Sequence, residues 1–299
     1  MENQENLKSW KNIGSKYSHL TSLHPCYNEK AHFKVARIHL PVAPKCNIQC
    51  NFCIRKINKC EHRPGVASGI ITPEEALERV DKAIKEMPNL KVVGVAGPGD
   101  ALANPETFET LRLVHERYPK IFKCVATNGL LLPDKIEELK SVGVSSLTVT
   151  VNALDPKVGS KIYSWVRYNG KTYKGEEGIK ILIDNQWKGI KKAAEKGLMI
   201  KVNTVLIPEI NFEQIPLIAK KAHESGAVIM NIIPMIPLHK FENLEPPTCE
   251  DLNIARTLAE EHLPQFRLCR QCRADAVGVP GMEHFASPAQ KLSSEYYHG

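Results

Sequence analysis

Six short apolar segments alternate with helical ones along most of this 299-residue chain. That alternation restricts the fold more than any other feature. The segments are VARIHLPVA (35–43), KVVGVAG (91–97), FKCVATNG (122–129), SLTVTVNA (146–153), MIKVNTVLIP (199–208) and VIMNIIPMIP (228–237). Thr72-Pro73-Glu74-Glu75 reads as a helix start, with an N-cap, a proline and acids in the first turn. Further helices are expected near 105–118, 133–142 and 212–225 and from Thr248, with a long loop and a long helix ending near Gly197. Strands separated by a helix must be joined by crossovers, so the sheet is parallel and covered on both faces. No self-similar repeat accompanies the pattern, which excludes a solenoid. The expected fold is α/β: a partial (β/α)6, TIM-like barrel with its chemistry at the C-terminal ends of the strands.

The unusual residues lie at those ends. Cys46, Cys50 and Cys53 follow the first strand in the spacing C-x3-C-x2-C, Gly97-Pro98-Gly99-Asp100 follows the second, Thr127-Asn128-Gly129 the third and Asn152 the fourth. Three thiolates in one short polar loop can hold three irons of a 4Fe–4S cluster and leave the fourth open for chemistry, whereas four cysteine ligands usually serve electron transfer. Zinc is the rival, but its sites normally pair two C-x2-C elements at a distance. Nine cysteines, several at ligand spacing and with no secretory signal ahead of them, point to metal in a reducing, cytoplasmic setting. No apolar run is long enough to span a membrane, so no membrane partner is expected. The net charge of +7 is spread over helical segments interleaved with Glu, which reads as solvated helix faces and not as a nucleic-acid surface.

The cysteine loop after a first strand and the glycine-rich turn after a second resemble the radical S-adenosylmethionine (SAM) superfamily. The resemblance implies that SAM chelates the open iron and is cleaved reductively to a 5′-deoxyadenosyl radical. The superfamily's second element is usually Gly-Gly-Glu-like, and Gly97-Pro98-Gly99-Asp100 departs from it. Its glycines would let backbone approach the SAM ammonium, and Asp100 would balance that charge. Taken alone, such a tetrapeptide is also an ordinary tight turn.

Further segments narrow the resemblance: His24-Pro25-Cys26-Tyr27-Asn28-Glu29, APKCNIQCNFC (43–53), Arg63-Pro64-Gly65-Val66, Ala126-Thr127-Asn128-Gly129 and CRQCRADA (269–276). Together they resemble the NifB family over roughly residues 22–280. This family builds the carbide-containing iron–sulfur precursor of nitrogenase cofactors. The likeness implies the stand-alone form without a NifX-like domain. It also implies two further 4Fe–4S clusters as substrates, fused into an 8Fe-9S-C product after methyl transfer from one SAM and hydrogen abstraction by the radical from another. Implied partners are an iron–sulfur donor scaffold and the cofactor-carrier and maturase proteins of the nitrogenase pathway.

Six cysteines remain outside the loop. Cys249, just after Thr248 at a helix start, reads as outward-facing and structural. Cys269 and Cys272 form a C-x2-C pair in an arginine-rich tail, Cys60 follows the loop closely, and Cys26 lies beside His24. Cys124 sits in the third strand, where a buried inert thiol is the rival reading. Five thiols and one imidazole would give each further cluster three ligands. The imidazole is His39, which shares strand parity with Arg37, or His24; a lone strand histidine is also an ordinary core residue. Glu61 reads as a surface acid or a cover for an open iron. Arg63, Arg270 and Arg273 are candidates to offset cluster charge. Asn152 and Asn203 are candidate polar contacts to SAM or iron, Met235 would pack on adenine, and Asn128 suits a left-handed turn. The expected organisation is an extension with ligands (1–34), the barrel (35–262) and a ligand-bearing tail (263–299), with no role for the stretch after about 280. Two other functions stay open: another radical SAM enzyme with auxiliary clusters, such as a peptide maturase, or a passive iron–sulfur scaffold.

Overall fold

The computed structural model describes residue 17, residues 21–282 and the backbone of residues 284 and 285. The chain begins α1 (Glu29–His32), β1 (Ala36–His39), β2 (Ile48–Cys50), β3 (Lys56–Ile57), β4 (Val66–Ala67), α2 (Pro73–Glu86) and β5 (Leu90–Val95). It continues α3 (Pro105–Arg117), β6 (Phe122–Thr127), α4 (Leu132–Ser141), β7 (Val144–Thr150), α5 (Pro156–Ile162), β8 (Tyr163–Tyr168), β9 (Lys171–Tyr173) and α6 (Gly175–Glu195). It ends β10 (Met199–Leu206), α7 (Pro208–Asn211), α8 (Ile215–Glu224), β11 (Ile229–Pro234), α9 (Cys249–Glu260), β12 (Ala276–Gly278) and β13 (His284–Phe285).

The main sheet has the order β11-β10-β7-β6-β5-β1-β12-β13. Its first six strands pair in parallel and curl into the expected half-barrel. Helices start where the chemistry says they should: Thr72 and Glu75 close a capping box at α2, and Thr248 and Asp251 close one at α9. Apolar residues on the outer face, among them Val93, Val125, Leu147, Val149, Ile200 and Val202, pack with helix residues such as Val80, Leu111, Ile136 and Ile190. A second cluster (Tyr17, Tyr27, Met199, Ile229 and Phe266) joins the N-terminal segment and the tail to the starts of β10 and β11. Among the described residues no helix is long and apolar enough to cross a membrane.

Three features differ from the sequence reading. β1 stops at His39 rather than at 43, because Pro41 has no N–H to continue the ladder. The expected loop before the long helix instead contains α5 and a β-hairpin, β8–β9, which pairs with β2 as a separate antiparallel sheet. Its turn is Asn169-Gly170, with φ +49° and +75°, and Asn-Gly between YSWVRY and KTY was the available signal. The tail adds β12 antiparallel to β1, which carries Cys269 and Cys272 to the barrel.

Candidate active site at the barrel mouth and lumen

The cysteine loop is held by two neighbours. On one side β2 pairs with β8, placing Cys50 opposite Tyr163 and Gln49 opposite Trp165. Gln49 Nε2 donates to the carbonyls of Cys50 and Cys53 at 2.9 and 3.0 Å, which fixes the loop's curvature. On the other side the Gly97–Asp100 turn lies against backbone: Gly99 N donates to Ala43 O at 2.6 Å and Asp100 N to Lys45 O at 2.9 Å. A Cβ at Gly99 would stand 2.1 Å from Lys45 O, so no side chain fits there. Gly97 has φ +121°, a conformation that favours glycine.

Asp100 is buried and its carboxylate is fully engaged. It accepts from Leu102 N (3.0 Å), Thr127 Oγ1 (2.9 Å) and Asn128 N (2.6 Å). Burial pushes its pKa up while these hydrogen bonds oppose the rise. Asp100 therefore clamps the second strand's turn to the third. Asn128 in turn donates to Asn47 Oδ1 at 2.6 Å and lies 3.8 Å from Cys46 Sγ. Asn152 Oδ1 accepts from Val205 N (2.9 Å), Asn203 Oδ1 accepts from Asn231 Nδ2 (3.2 Å), and Met235 is buried.

All three loop thiols are held in the neutral form. Burial drives the Cys46 thiol up to about 12, Asp100 adding to it, and burial also raises Cys50 and Cys53. Arg55 opposes the shift at all three. Such thiols ionise when a cation takes the place of the proton, which is the condition of a metal-binding loop. Three thiols on one loop, with polar backbone turns beside them, fit a cluster with an open iron. Arg55 lies two residues beyond Cys53, so its proximity was available from sequence.

Deeper in the half-barrel, His39 and Cys124 occupy neighbouring strand positions. His39, Gly94 and Cys124 are register partners on β1, β5 and β6. A Cβ at Gly94 would stand 2.8 Å from Cys124 Sγ and 3.2 Å from His39 Cδ2. Arg37, two residues before His39, donates to Cys272 Sγ at 2.9 Å and to Gly278 O at 2.8 Å, tying the tail to β1. Cys26 acts electrostatically on both Cys124 and Cys272, so the N-terminal loop reaches the same region. Burial pushes Cys124 to about 12 and Cys272 to about 11.

The two histidines differ in tautomer. His39 Nδ1 lies 3.1 Å from Arg273 O, and a carbonyl only accepts. Burial and Arg37 hold His39 near pKa 4, so the neutral ring carries its proton on Nδ1 and leaves the Nε2 lone pair free. His24 is reversed: its Nδ1 accepts from Cys26 N at 3.1 Å, which puts the proton on the buried Nε2.

Cys60 is exposed, yet its loop is fastened to the tail. Arg273 donates to Asn58 O (2.9 Å), to Glu61 O and to Ser68 Oγ (2.9 Å), and forms a buried ion pair with Asp275 at 2.8 Å. Arg63 pairs with Glu61 at 2.7 Å. Both arginines are thus engaged by protein groups, and Arg270 is exposed. Besides Arg37, the lumen holds a second buried cation, Lys201, which sequence reading missed. It is buried, with Nζ 5.2 Å from the Tyr27 ring and 5.6 Å from that of Phe266. Its shared strand parity with Asn203 was the signal. Cys249 is exposed at the start of α9, as expected. Among the described residues no three His, Cys, Asp or Glu side chains converge on a point for a single metal ion. Ligands of one cluster bind separate irons and need no such convergence.

The Radical SAM superfamily model matches residues 40–222. The chain is 54% identical over 271 residues to the FeMo cofactor biosynthesis protein NifB of Methanocaldococcus jannaschii, covering 90% of each chain. It is 53% identical over 267 residues to the protein of that name from Methanocaldococcus infernus, covering 89% of this chain and 88% of the relative. The chain belongs to the NifB family of radical SAM proteins. Membership brings a 4Fe–4S cluster and SAM as cofactors, and the C-x3-C-x2-C loop of this NifB-family chain falls inside the matched residues. The crystal structure of Streptococcus suis SuiB shares the fold, with a TM-score of 0.57 at 16% identity over 79% of this chain and 50% of SuiB. The chain thus spans half the length of SuiB.

Proposed function

We propose that this chain is a radical SAM enzyme of nitrogenase FeMo-cofactor biosynthesis that fuses two 4Fe–4S substrate clusters. A carbide derived from a SAM methyl group and a ninth sulfur enter the product, an 8Fe-9S-C precursor. The observation that carries this reading is the gathering of His39, Cys124 and Cys272 from β1, β6 and the tail behind the cysteine loop, around the bare Gly94 and the Arg37 guanidinium. Two thiols and an imidazole from distant segments in one lumen suit clusters as substrates.

In this account Cys46, Cys50 and Cys53 hold the resident cluster, and SAM binds beside Gly97–Asp100, Thr127, Asn128, Asn152, Asn203 and Met235. Bound there, the cluster and SAM together supply reductive formation of a 5′-deoxyadenosyl radical. Asp100 fixes the relation of the SAM turn to Asn128, and Gln49 and Arg55 hold the loop. Cys26, Cys60, Cys124, Cys269, Cys272 and His39 retain the substrate clusters. The tautomers favour His39 over His24, because only His39 has a free lone pair when neutral. An imidazole dissociates more easily than a thiolate, which suits a ligand that must release product. Arg273 keeps the Cys60 loop and the Cys269–Cys272 tail together. The division into an extension to residue 34, a barrel to 262 and a tail from 263 follows from the same assignment. Reaction in a reducing cytoplasm, with a cluster-donating scaffold and carrier or maturase proteins as partners, completes the reading.

The test is product analysis after anoxic reconstitution with iron and sulfide, then SAM and dithionite. Both S-adenosylhomocysteine and 5′-deoxyadenosine are expected. Deoxyadenosine alone would indicate a different radical enzyme, and neither product would leave a passive scaffold.

A further inference from the structure

None of the six parallel strands that wall the half-barrel contains an Asp or Glu, yet two of their buried side chains are the lumen cations Arg37 and Lys201. Arg37 is engaged by Cys272 Sγ and Gly278 O. Lys201 is 6% exposed and forms no ion pair among the described residues, whereas Arg63 and Arg273 are paired with Glu61 and Asp275. Its ammonium lies against the rings of Tyr27 and Phe266. Attraction to two ring faces offsets only part of the cost of burying an ammonium. The buried acids Asp100 and Asp275 are taken up elsewhere, the first by Leu102, Thr127 and Asn128 and the second by Arg273. The strand wall therefore presents positive charge to whatever fills the lumen.

Strand register places this charge. His39, Gly94, Cys124, Ser146 and Met199 are successive register partners on β1, β5, β6, β7 and β10. Lys201 follows Met199 by two residues and shares its face, roughly 7 Å further toward the strand ends that carry the cysteine loop. His39 Cδ2 and Cys124 Sγ both lie within 3.2 Å of the point a Cβ would take on Gly94. Lys201 thus stands one layer from these two candidate ligands, on the side of the barrel mouth. Its charge acts electrostatically on both of them and on His24. Tyr27, whose ring it packs against, is the chain neighbour of Cys26 and is anchored through its hydroxyl to Leu147 O at 3.1 Å.

We propose that Lys201 is a positioning residue for the substrate cluster at His39 and Cys124, holding that sulfide-rich cluster in the lumen by charge and raising its electron affinity. The inference rests on the cluster-fusion reading and deepens it. A fixed cation beside a redox centre favours the reduced form, which carries one more negative charge. An imidazole ligand in place of a thiolate acts in the same direction. The cluster takes up one electron from an external one-electron reductant, and no bond forms or breaks. The cations next to Cys60 are neutralised by Glu61 and Asp275, so the effect falls on the cluster at His39. The two substrate clusters are then unequal before they join, and the one in the lumen is the electron-poor partner.

The experiment is a dithionite titration of the anoxically reconstituted full chain, followed by electron paramagnetic resonance. The signal of interest is the one that Cys124→Ala removes. In Lys201→Met its one-electron reduction constant should fall about tenfold or more, a midpoint lower by about 59 mV per tenfold, while the cysteine-loop cluster is unmoved. Lys201→Arg, which keeps the charge, should stay near the unsubstituted protein, as should Lys220→Met at an exposed site. The apo-protein gives a second readout. Removing a buried cation that has no acid partner should leave the thermal midpoint of apo Lys201→Met equal or higher. An unchanged midpoint potential in Lys201→Met would overturn the proposal. So would an equal shift at the cysteine-loop cluster, or a shift as large in Lys201→Arg. Apo Lys201→Met melting lower than the unsubstituted protein would make Lys201 a strut for Tyr27 and Phe266 and overturn it as well. If Lys201→Met loses the cluster outright, Lys201→Arg must retain it; loss in both contradicts a role for the charge. If the unsubstituted protein binds only the cysteine-loop cluster, it is the cluster-fusion reading that fails.

Discussion

Arg37 on β1 donates to the Cys272 sulfur at 2.9 Å across 235 residues of sequence, and the same guanidinium donates to Gly278 O. One side chain therefore positions a candidate ligand and pins the strand that brings it. Hydrogen bonds made by a charged group contribute about 1.5–3 kcal/mol each. Arg37→Met should destabilise the apo-protein by about that amount in chemical denaturation. Iron bound beyond the cysteine-loop cluster should fall as well. An unchanged iron content would show that the tail finds its place without this contact.

Gly94 leaves room for its neighbours. In Gly94→Ala the new methyl would meet Cys124 Sγ at 2.8 Å and His39 Cδ2 at 3.2 Å, so one of them must move. Overpacking of this kind costs about 1–3 kcal/mol. The expected result is loss of one substrate cluster's iron, with the electron paramagnetic resonance signal of the cysteine-loop cluster retained. Equal loss of both signals would mean that the substitution acts through the fold and not through these two ligands.

Cys269→Ala combined with Cys272→Ala should lower bound iron by one cluster while the SAM-cluster signal persists. Unchanged iron would remove the tail from the ligand set.

The Arg273–Asp275 pair gives a pH dependence with a definite sign. Burial alone would raise the Asp275 pKa, but hydrogen bonds from Arg273 and from Ser68 bring it below its ordinary value. A carboxylate with a depressed folded pKa adds stability above its unfolded pKa, about 3.9, and loses it as pH falls through the lower folded value. Thermal unfolding between pH 6 and pH 2 should therefore show an acid limb that Asp275→Asn flattens, with the variant less stable at neutral pH. Parallel profiles for the two proteins would contradict the assignment.

Much of this was legible in the chain itself. The alternation of apolar and helical segments specified the half-barrel because crossovers allow few alternatives, and Cys46, Cys50 and Cys53 announced their loop by spacing alone. Inward parity along β1 placed Arg37 and His39 on one face, since side chains alternate with a period of two, whereas the register that brings Cys124 beside them comes from strand pairing. Other relations were hidden because they depend on pairing between distant segments. The antiparallel addition of β12 to β1 decides where Cys272 lies, and no local pattern encodes it. Asp100 resembled a free carboxylate until its acceptor positions were seen to be taken by Leu102, Thr127 and Asn128. The proposed preference for His39 over His24 rests on a backbone N–H in one case and a backbone carbonyl in the other, neither of which is visible in a list of residues.

The most direct test of the central claim follows the carbon. The reconstituted protein is turned over with SAM labelled in its methyl group, and the iron–sulfur product is separated from protein and small molecules and assayed for label. The account predicts label retained in the cluster, one carbon per eight irons, in a product that matures apo-nitrogenase. A cluster free of label, formed while SAM is consumed, would contradict it.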